Sequence, residues 1–346
     1  MKKTFLPVLS LKRLILLPFI VILVILVSGS IYNYLYQEKS YAQVNIGQQF
    51  LSAKRAFDIV IQQETEKLST ALEIIITDPV LKQAMIAEDR DALLQQSNPL
   101  FKRLREKHAI THFYFHRPDR INFLRVHSPD RFGDLINRFS ARQAEATNAP
   151  ASALELGPLG LFTLRVVVPW YANGKLIGYI ELGEEIGHLY QHIEDVLKIN
   201  LYVILDKKVL SREGWEAGMK LLGHQAEWNL MSESVVAFTT VHNRNMIALQ
   251  HFIDSGALNL NLNHTVQQFS QNEQTFKAYA LPLTNAGQPG RQIGSMLFLR
   301  DVSDMENLSM RHTLFTVALG IAIIGIVFLF FFLLTRYTQQ QLESSR

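Results

Sequence analysis

Two pieces of one stretch decide the fold: FLRVHSPDRFGD, Phe123 to Asp134, and ELGPLGLFTLRVVVPWYANGKLIGYIELG, Glu155 to Gly183. In both, Val, Ile, Leu, Phe, Tyr and Thr alternate with a few charged residues, which is the period of half-buried strands. Pro118-Asp119-Arg120 and Ala172-Asn173-Gly174 bound or break these runs with turn chemistry. Successive strand side chains point to opposite faces. Arg125 and His127 therefore share one face of the first strand, Arg165 shares a face with Thr163, and Tyr179 and Glu181 share one face of the last. Leu124, Val126, Leu164, Val166, Ile180 and Leu182 fall on the other face. An antiparallel sheet with one apolar face and one face of Arg, His, Tyr and Glu suits ligand reading once its polar side is covered. The polar helix expected over Asp134 to Thr147 supplies a cover.

Two further stretches hold most of the apolar excess of this 346-residue chain. Leu14 to Gln37 and Thr313 to Thr335 contain no charged residue, and at about 1.5 Å rise per residue either crosses a hydrocarbon core of roughly 30 Å. Lys2, Lys3, Lys12 and Arg13 precede the first, and Arg336 and Arg346 follow the second, so both ends are expected on the cytoplasmic side. Ser28-Gly29-Ser30 resembles a signal-peptide cleavage site, but the apolar run exceeds the roughly 7–15 residues of such a leader. Between the spans stand 28 Lys+Arg against 30 Asp+Glu. The basic balance of the chain thus belongs to the membrane flanks and gives no support to nucleic-acid binding. With no cysteine, the extracytoplasmic part rests on its packed core rather than on disulfides.

From Glu38 to Thr77 the residues Ile46, Phe50, Phe57, Ile61, Leu68, Leu72 and Ile75 recur at helical spacing, and Asp78-Pro79 stops the run. One continuous apolar stripe needs a partner along its length, either sheet modules or the same helix of a second subunit. Leu81 to Lys107 reads as shorter helices broken near Ser97-Asn98-Pro99, and the sheet begins at His112. Ile186 to Ile199 and Arg212 to Gly223 read as helices, Asn200 to Leu205 and Ser234 to Thr240 as strands, and Val241 to His264 stays unassigned. Pro169 with Gly174-x-x-Ile177-Gly178 is echoed by Pro282 with Gly290-x-x-Ile293-Gly294, as expected if two related sheet modules follow one another. Asp301 to His312 leads as a short helix into the second span.

The common nucleotide, hydrolase and zinc-protease motifs are absent. Glu184, His188 and His192 lie at i, i+4 and i+8 on a helix, a spacing open to metal ligation or to a solvated face at a module junction; no metal and no cofactor is assigned. Arg125, His127, Arg165, Tyr179 and Glu181, with Tyr114, form the candidate ligand-binding set. A guanidinium holds a carboxylate or phosphate bidentately, so two of them beside His and Tyr suit a small anion. The alternative is an internal lattice in which Arg125 pairs with Glu181 and Arg165 with Asp134 or Glu155. Trp170 has the opposite parity to Arg165 and belongs to core or rim. Gly157-Pro158, Gly160 and Gly174 shape turns.

FLRVH, Pro129, Gly133-Asp134 and Arg138, followed by ELGPLG, FTLRVVVPW and GKLIGYIELG, resemble the double Cache sensor domains of bacterial transmembrane receptors. The resemblance implies an α+β fold with a long N-terminal helix and two stacked PAS-like antiparallel-sheet modules between two transmembrane helices. The corresponding divisions are a cytoplasmic N-terminus 1–13, span 14–37, stalk helix 38–77, membrane-distal module 78–185, membrane-proximal module 186–311, span 313–335 and cytoplasmic stub 336–346. It further implies a non-enzymatic sensory region in the bacterial inner membrane, a homodimer, a small-molecule ligand in the distal module and a cytoplasmic kinase, cyclase or other signalling partner beyond this chain. A membrane-anchored protein-interaction domain without a small ligand is the alternative. Reporter fusions test the topology: a fusion at residue 200 is expected to report an extracytoplasmic position and fusions at both termini cytoplasmic ones.

Overall fold

The computed structural model describes residues 8–221, 223, 225–241, 246–256, 258–262, 265–271, 274–287 and 290–344. The flanking Lys2, Lys3 and Arg346 lie outside the described residues. In chain order, α1 (Val8–Ile75), α2 (Pro79–Ile86) and α3 (Arg90–His108) precede β1 (His112–His116), β2 (Asn122–Arg125), α4 (Phe139–Thr147), β3 (Ala151–Leu156), β4 (Phe162–Ala172) and β5 (Lys175–Glu185). Then come α5 (Gly187–Leu197), β6 (Asn200–Asp206), α6 (Arg212–Leu221), β7 (Ser234–Thr239), α7 (Met246–Asp254), β8 (Val266–Gln271), β9 (Gln274–Thr284), β10 (Gln292–Asp301) and α8 (Ser303–Ser344).

Contacts divide the chain into two compact units, one of Met1–Gly47, Ser270–Phe276 and Asp301–Arg346, the other of Gln48–Phe269 and Lys277–Arg300. In the first unit, Pro18–Gln37 of α1 and Ser303–Thr338 of α8 are long and apolar enough to cross a membrane. They pack on each other: Phe19 and Phe331 have ring centroids 4.6 Å apart, and Gly320 leaves room for Ile31 and Val27. The span and the stalk, expected to follow one another directly, form one helix, α1, with no proline or glycine at their junction. Likewise α8 runs on from the expected short lead-in without a break.

The second unit holds the sheet modules. Its first sheet has strand order β2-β1-β5-β4-β3 and its second β7-β6-β10-β9-β8, the same topology in the same chain order. Registers match as well. His116 stands opposite Tyr179 as Ile204 stands opposite Ser295, and Tyr114 stands opposite Arg125 as Tyr202 stands opposite Thr239. Each outer pair carries a register shift at the same place, between Phe115 and His116 and between Val203 and Ile204. The Ile-Gly echo in the sequence has its physical reason here. A Cβ on Gly178 would lie 2.2 Å from the His116 carbonyl oxygen, and one on Gly294 would lie 2.1 Å from that of Ile204. In both sheets the glycine lets the last strand approach the first closely.

The stripe of α1 serves both modules. Phe50 stacks on Tyr279 and packs against Phe298 of the second sheet, while Phe57 stacks on Tyr190 of α5. Leu68, Leu72 and Ile75 are buried, and the backbone after the helix accepts the Trp170 indole N–H at the Ile76 carbonyl, 3.0 Å away. Trp170 is thus core, packed on Phe115. The expected break at Ser97-Asn98-Pro99 does not occur. α3 is continuous through Pro99 with Leu93, Ser97 and Phe101 buried, so packing outweighs the one lost donor. The break falls earlier, at Glu88 with its positive φ and Asp89, whose carboxylate caps α3 by accepting from the Ala92 N–H. α7 occupies part of the stretch left unassigned.

Adding one methyl where it meets backbone forces strain that overpacking series place at about 1–3 kcal/mol or more. Gly294→Ala is therefore expected to lower the unfolding free energy measured by urea titration by that amount. Gly287→Ala, whose Cβ would meet only ordinary contacts at 3.5 and 3.6 Å, is expected to leave it nearly unchanged.

Candidate functional site

Alternation along β1, β4 and β5 gathers Tyr114, His116, Arg165 and Glu181 on one face of the first sheet, and β2 adds Arg125 across from Tyr114. The opposite face carries Leu124, Val126, Leu164, Val166, Ile180 and Leu182, all buried. Over the polar face lies an open cleft of about 700 Å³. Its wall includes Tyr114, Arg125, His127 and Arg165. Glu181 lies beneath the cleft, fully buried. Tyr179 is on the same face but outside the cleft, packed against Ala144, Ala151 and Val167.

His127 is not on a strand: β2 ends at Arg125, and the chain turns there as the Val126 N–H donates to the Phe113 carbonyl. Its ring nevertheless meets Tyr114 and His112 edge-on, each at 4.7 Å between centroids. The cover also differs from expectation. Only Phe139–Thr147 is helical, because residues before it are held extended. The Asn122 N–H donates to the Asp134 carbonyl, the Ile136 N–H to the Arg120 carbonyl, and Ile121 bridges Leu135.

Glu181 is the hub of the charges. Its Oε1 accepts from Arg165 Nη1 at 2.6 Å, and both carboxylate oxygens accept from Arg138 Nη2 at 2.7 Å. His116 Nε2 lies 3.0 Å from Oε2. Asn122 Nδ2 donates to His116 Nδ1 at 3.3 Å, which leaves the ring proton on Nε2 for Glu181. Burial favours a neutral Glu181, but Arg138, then Arg165 and His116, outweigh it and hold the carboxyl well below its usual range. Glu155 accepts from the Ser140 N–H at 2.8 Å and lies 3.5 Å from Arg165 Nε. Burial pushes its carboxyl up despite those partners.

Arg125 is held separately. It takes Asp134 bidentately at 2.7 and 2.6 Å, and Nη1 also donates to the Arg131 carbonyl. Of the pairings weighed from sequence, Arg165 with Glu155 forms, whereas Arg125 with Glu181 and Arg165 with Asp134 do not. Arg125 pairs with Asp134 instead, and Arg165 pairs with Glu181 as well. Cross-strand register decides this, since Arg165 sits opposite Gly183, one step along the same face from Glu181. Three guanidiniums, those of Arg125, Arg138 and Arg165, lie 4.9 to 5.9 Å from the Tyr114 ring centroid. Arg138, Arg105, Arg131 and His112 also line the cleft. The sequence assigned none of these four to the site; Arg138 alone carried a signal, as part of the family motif.

Glu184, on the apolar side of β5, is fully buried and pairs with His188 at 2.9 Å and with Lys67 of α1 at 2.7 Å. Among the described residues no group of His, Asp and Glu is placed to hold a metal ion. A lysine, not His192, is the third member of this cluster.

A family profile described as the double sensory domain of two-component sensor kinases matches residues 49–305. This chain belongs to that double Cache family. Among solved structures, the ligand-binding domain of the Campylobacter jejuni chemoreceptor Tlp3, in complex with 4-methylisoleucine, is 15% identical with a TM-score of 0.44, covering 78% of this chain and 92% of that one. The sensor domain of the V. cholerae histidine kinase DctB is 14% identical with a TM-score of 0.44, covering 76% and 98%. The E. coli DcuS sensor domain, 18% identical with a TM-score of 0.33, covers 40% and 99%. No curated protein matches the chain.

Burial lowers His112 to about 2 and His127 to about 4, in each case with Arg165 opposing protonation as well. Both rings are neutral in the folded double Cache module. A depressed histidine pKa means that the unfolded chain binds more protons below its ordinary 6.5, so stability is full above that pH and falls as pH drops beneath it. Unfolding free energy is expected to fall between pH 7 and 5, with up to one proton each from His112, His127 and the buried His116, whose pKa is lowered too. His188, whose pKa is raised by Glu184, opposes them. His127→Gln is expected to flatten the slope by about one proton.

Proposed function

We propose that the chain is the sensory region of a transmembrane receptor, and that the cleft of its first module binds a small anion such as a carboxylate. The carrying observation is charge. Five guanidiniums line the cleft, those of Arg105, Arg125, Arg131, Arg138 and Arg165. Four carboxylates answer them: Asp134 and Glu185 in the wall, Glu155 and Glu181 beneath. Arg105 and Arg131 stand exposed, with no carboxylate in ion-pair reach among the described residues. His112 and His127 add hydrogen-bonding capacity without charge.

Of the three carboxylates paired to the arginines of the cleft, Asp134 is the replaceable one, because its side chain is 54% exposed whereas Glu155 and Glu181 are buried. A ligand carboxylate that takes the Arg125 fork frees the Asp134 side chain and removes one of the ties on the extended segment that walls the cleft. The ligand then shifts the module only by its differential affinity for the two arrangements. β10 leads within two residues into α8, which gives the signal a covalent route toward a cytoplasmic output partner. A homodimer in the bacterial inner membrane, with residues 37–312 outside, completes this reading. Tyr179 and Glu181 then serve as packing and charge support, while Tyr114, Arg125, His127 and Arg165 face the ligand.

Thermal unfolding of the full chain in detergent against a panel of small carboxylates and phosphates tests the proposal. At least one anion is expected to raise the melting temperature. Arg125→Ala is expected to remove about 2–5 kcal/mol of binding with a modest loss of stability, whereas Arg165→Ala leaves a buried carboxylate unpaired and costs roughly 3–5 kcal/mol of folding. A full ligand-induced shift in Arg125→Ala sinks the anion cleft. Absence of any shift favours the protein-interaction alternative.

A further inference from the structure

The matched registers of the two sheets show where the second module departs from the first. Opposite His116 the first sheet has Tyr179, whose ring fills the space under α4 against Ala144, Ala151 and Val167. Opposite Ile204, at the corresponding position, the second sheet has Ser295. The helix that follows the second strand of the module is α4 in one case and α7 in the other, and each has nine residues. A hydroxymethyl group where the first sheet places a phenol leaves volume unfilled, and a cavity of about 550 Å³ lies over Ile204 and Ser295. Ligand pockets commonly measure about 300–1,000 Å³.

The chemistry of this cavity is the reverse of that in the first module. At the positions of Arg125 and Glu181 the second sheet has Thr239 and Leu297, so no charge lattice crosses its face. The cavity is lined instead by Asp206 and Glu233, with the amides of Asn261 and Gln292 beside them, and by no Lys, Arg or His among the described residues. Much acceptor capacity is unspent. Among the described residues, Asp206 uses Oδ1 on the Lys208 N–H, Glu233 has only exposed Lys208 at 3.8 Å, and Gln292 commits its Nε2 donor to the Gly294 carbonyl and Ser295 Oγ, leaving its Oε1 as an acceptor. Apolar walls are supplied by Ile204, Ile253 and Leu258.

We propose that this cavity is a second ligand site, in the second module, which takes a small organic cation bearing one or two ammonium groups. Asp206, with no cationic partner among the described residues, and Glu233, paired only loosely with exposed Lys208, favour positive charge. Amide and carboxylate oxygens accept the ammonium N–H groups, and the apolar wall receives a short carbon chain. The site is independent of the anion cleft: different strands line it and the opposite charge governs it.

The test uses the full chain in detergent micelles, titrated with diaminobutane at neutral pH by calorimetry and followed by thermal unfolding. Wild type is expected to bind saturably and to melt higher. Ser295→Tyr, which supplies the ring that the first sheet accommodates at this register, is expected to abolish binding. Asp206→Asn keeps the shape and the Oδ1 acceptor and is expected to weaken binding about tenfold or more; it carries the test alone if the tyrosine variant fails to fold. Arg125→Ala is expected to leave diaminobutane binding unchanged, which separates this site from the first. Absence of saturable binding to wild type, undiminished binding to folded Ser295→Tyr or to Asp206→Asn, loss of binding in Arg125→Ala, or equal binding of uncharged butanediol would each overturn the proposal.

Discussion

One buried carboxylate sets the terms for the first module. Glu181 has no exposed surface, yet it stays ionised because Arg138 and Arg165 donate to it directly and His116 completes its shell. An unpaired charge there would cost several kcal/mol. Its partners come from the loop before α4, from β4 and from β1. Satisfying Glu181 therefore fixes the height of the cover over the sheet and the positions of two of the guanidiniums that face the cleft. Arg125, on the edge strand, lies outside this arrangement and is answered by a half-exposed Asp134. The difference in burial between these two carboxylates separates a fully buried scaffold from an ion pair open to solvent on one side.

The second module uses the same backbone plan without the charges. Strand order, register, the irregularity on the outer pair and the close approach at Gly178 and Gly294 are common to both sheets. These shared features are backbone constraints, and a change in any of them would shift side chains to the wrong face. Side chains on the polar face are free of that constraint. One copy holds Tyr114, Arg125 and Glu181 where the other holds Tyr202, Thr239 and Leu297. Two sheets of one plan can thus read ligands of different charge, or leave one module as a spacer.

The long helix and the last helix owe their form to different parts of the sequence. In α1 the residues Phe50, Phe57, Leu68 and Leu72 are buried against the sheet modules, so this part of the helix is held by tertiary packing. The apolar segments nearer the chain ends are hydrophobic all round, with Ile25, Leu26, Phe315 and Ile326 exposed, which is the composition of a helix meant for lipid. Lys67 of α1 reaches the buried Glu184 on β5. Strand β5 carries Glu181 and Glu185 toward the cleft and Glu184 toward α1, so its two faces join the cleft to the long helix.

The sequence by itself determined whatever depends on local period. The alternation through Phe123–Arg125, Phe162–Ala172 and Lys175–Glu185 placed the polar and apolar faces, the spacing from Ile46 to Ile75 gave the stripe of α1, and uncharged runs gave the two apolar spans. Even the relation between the modules showed in the glycine echo, because a backbone approach at about 2 Å from a would-be Cβ admits nothing larger. Tertiary structure alone decided which charges meet. Parity puts Arg125, Arg165 and Glu181 on one face but says nothing about distance across strands, so of the pairings read from sequence only that of Arg165 with Glu155 formed. Arg138 reached the cleft from a loop, where alternation carries no information; His112 did so with the parity of Tyr114 on β1, and His127 as its parity with Arg125 expected, though from a turn. Tyr179 obeyed parity and still faced packed alanines instead of the cleft, because what covers a sheet face is set by the loop and helix laid over it.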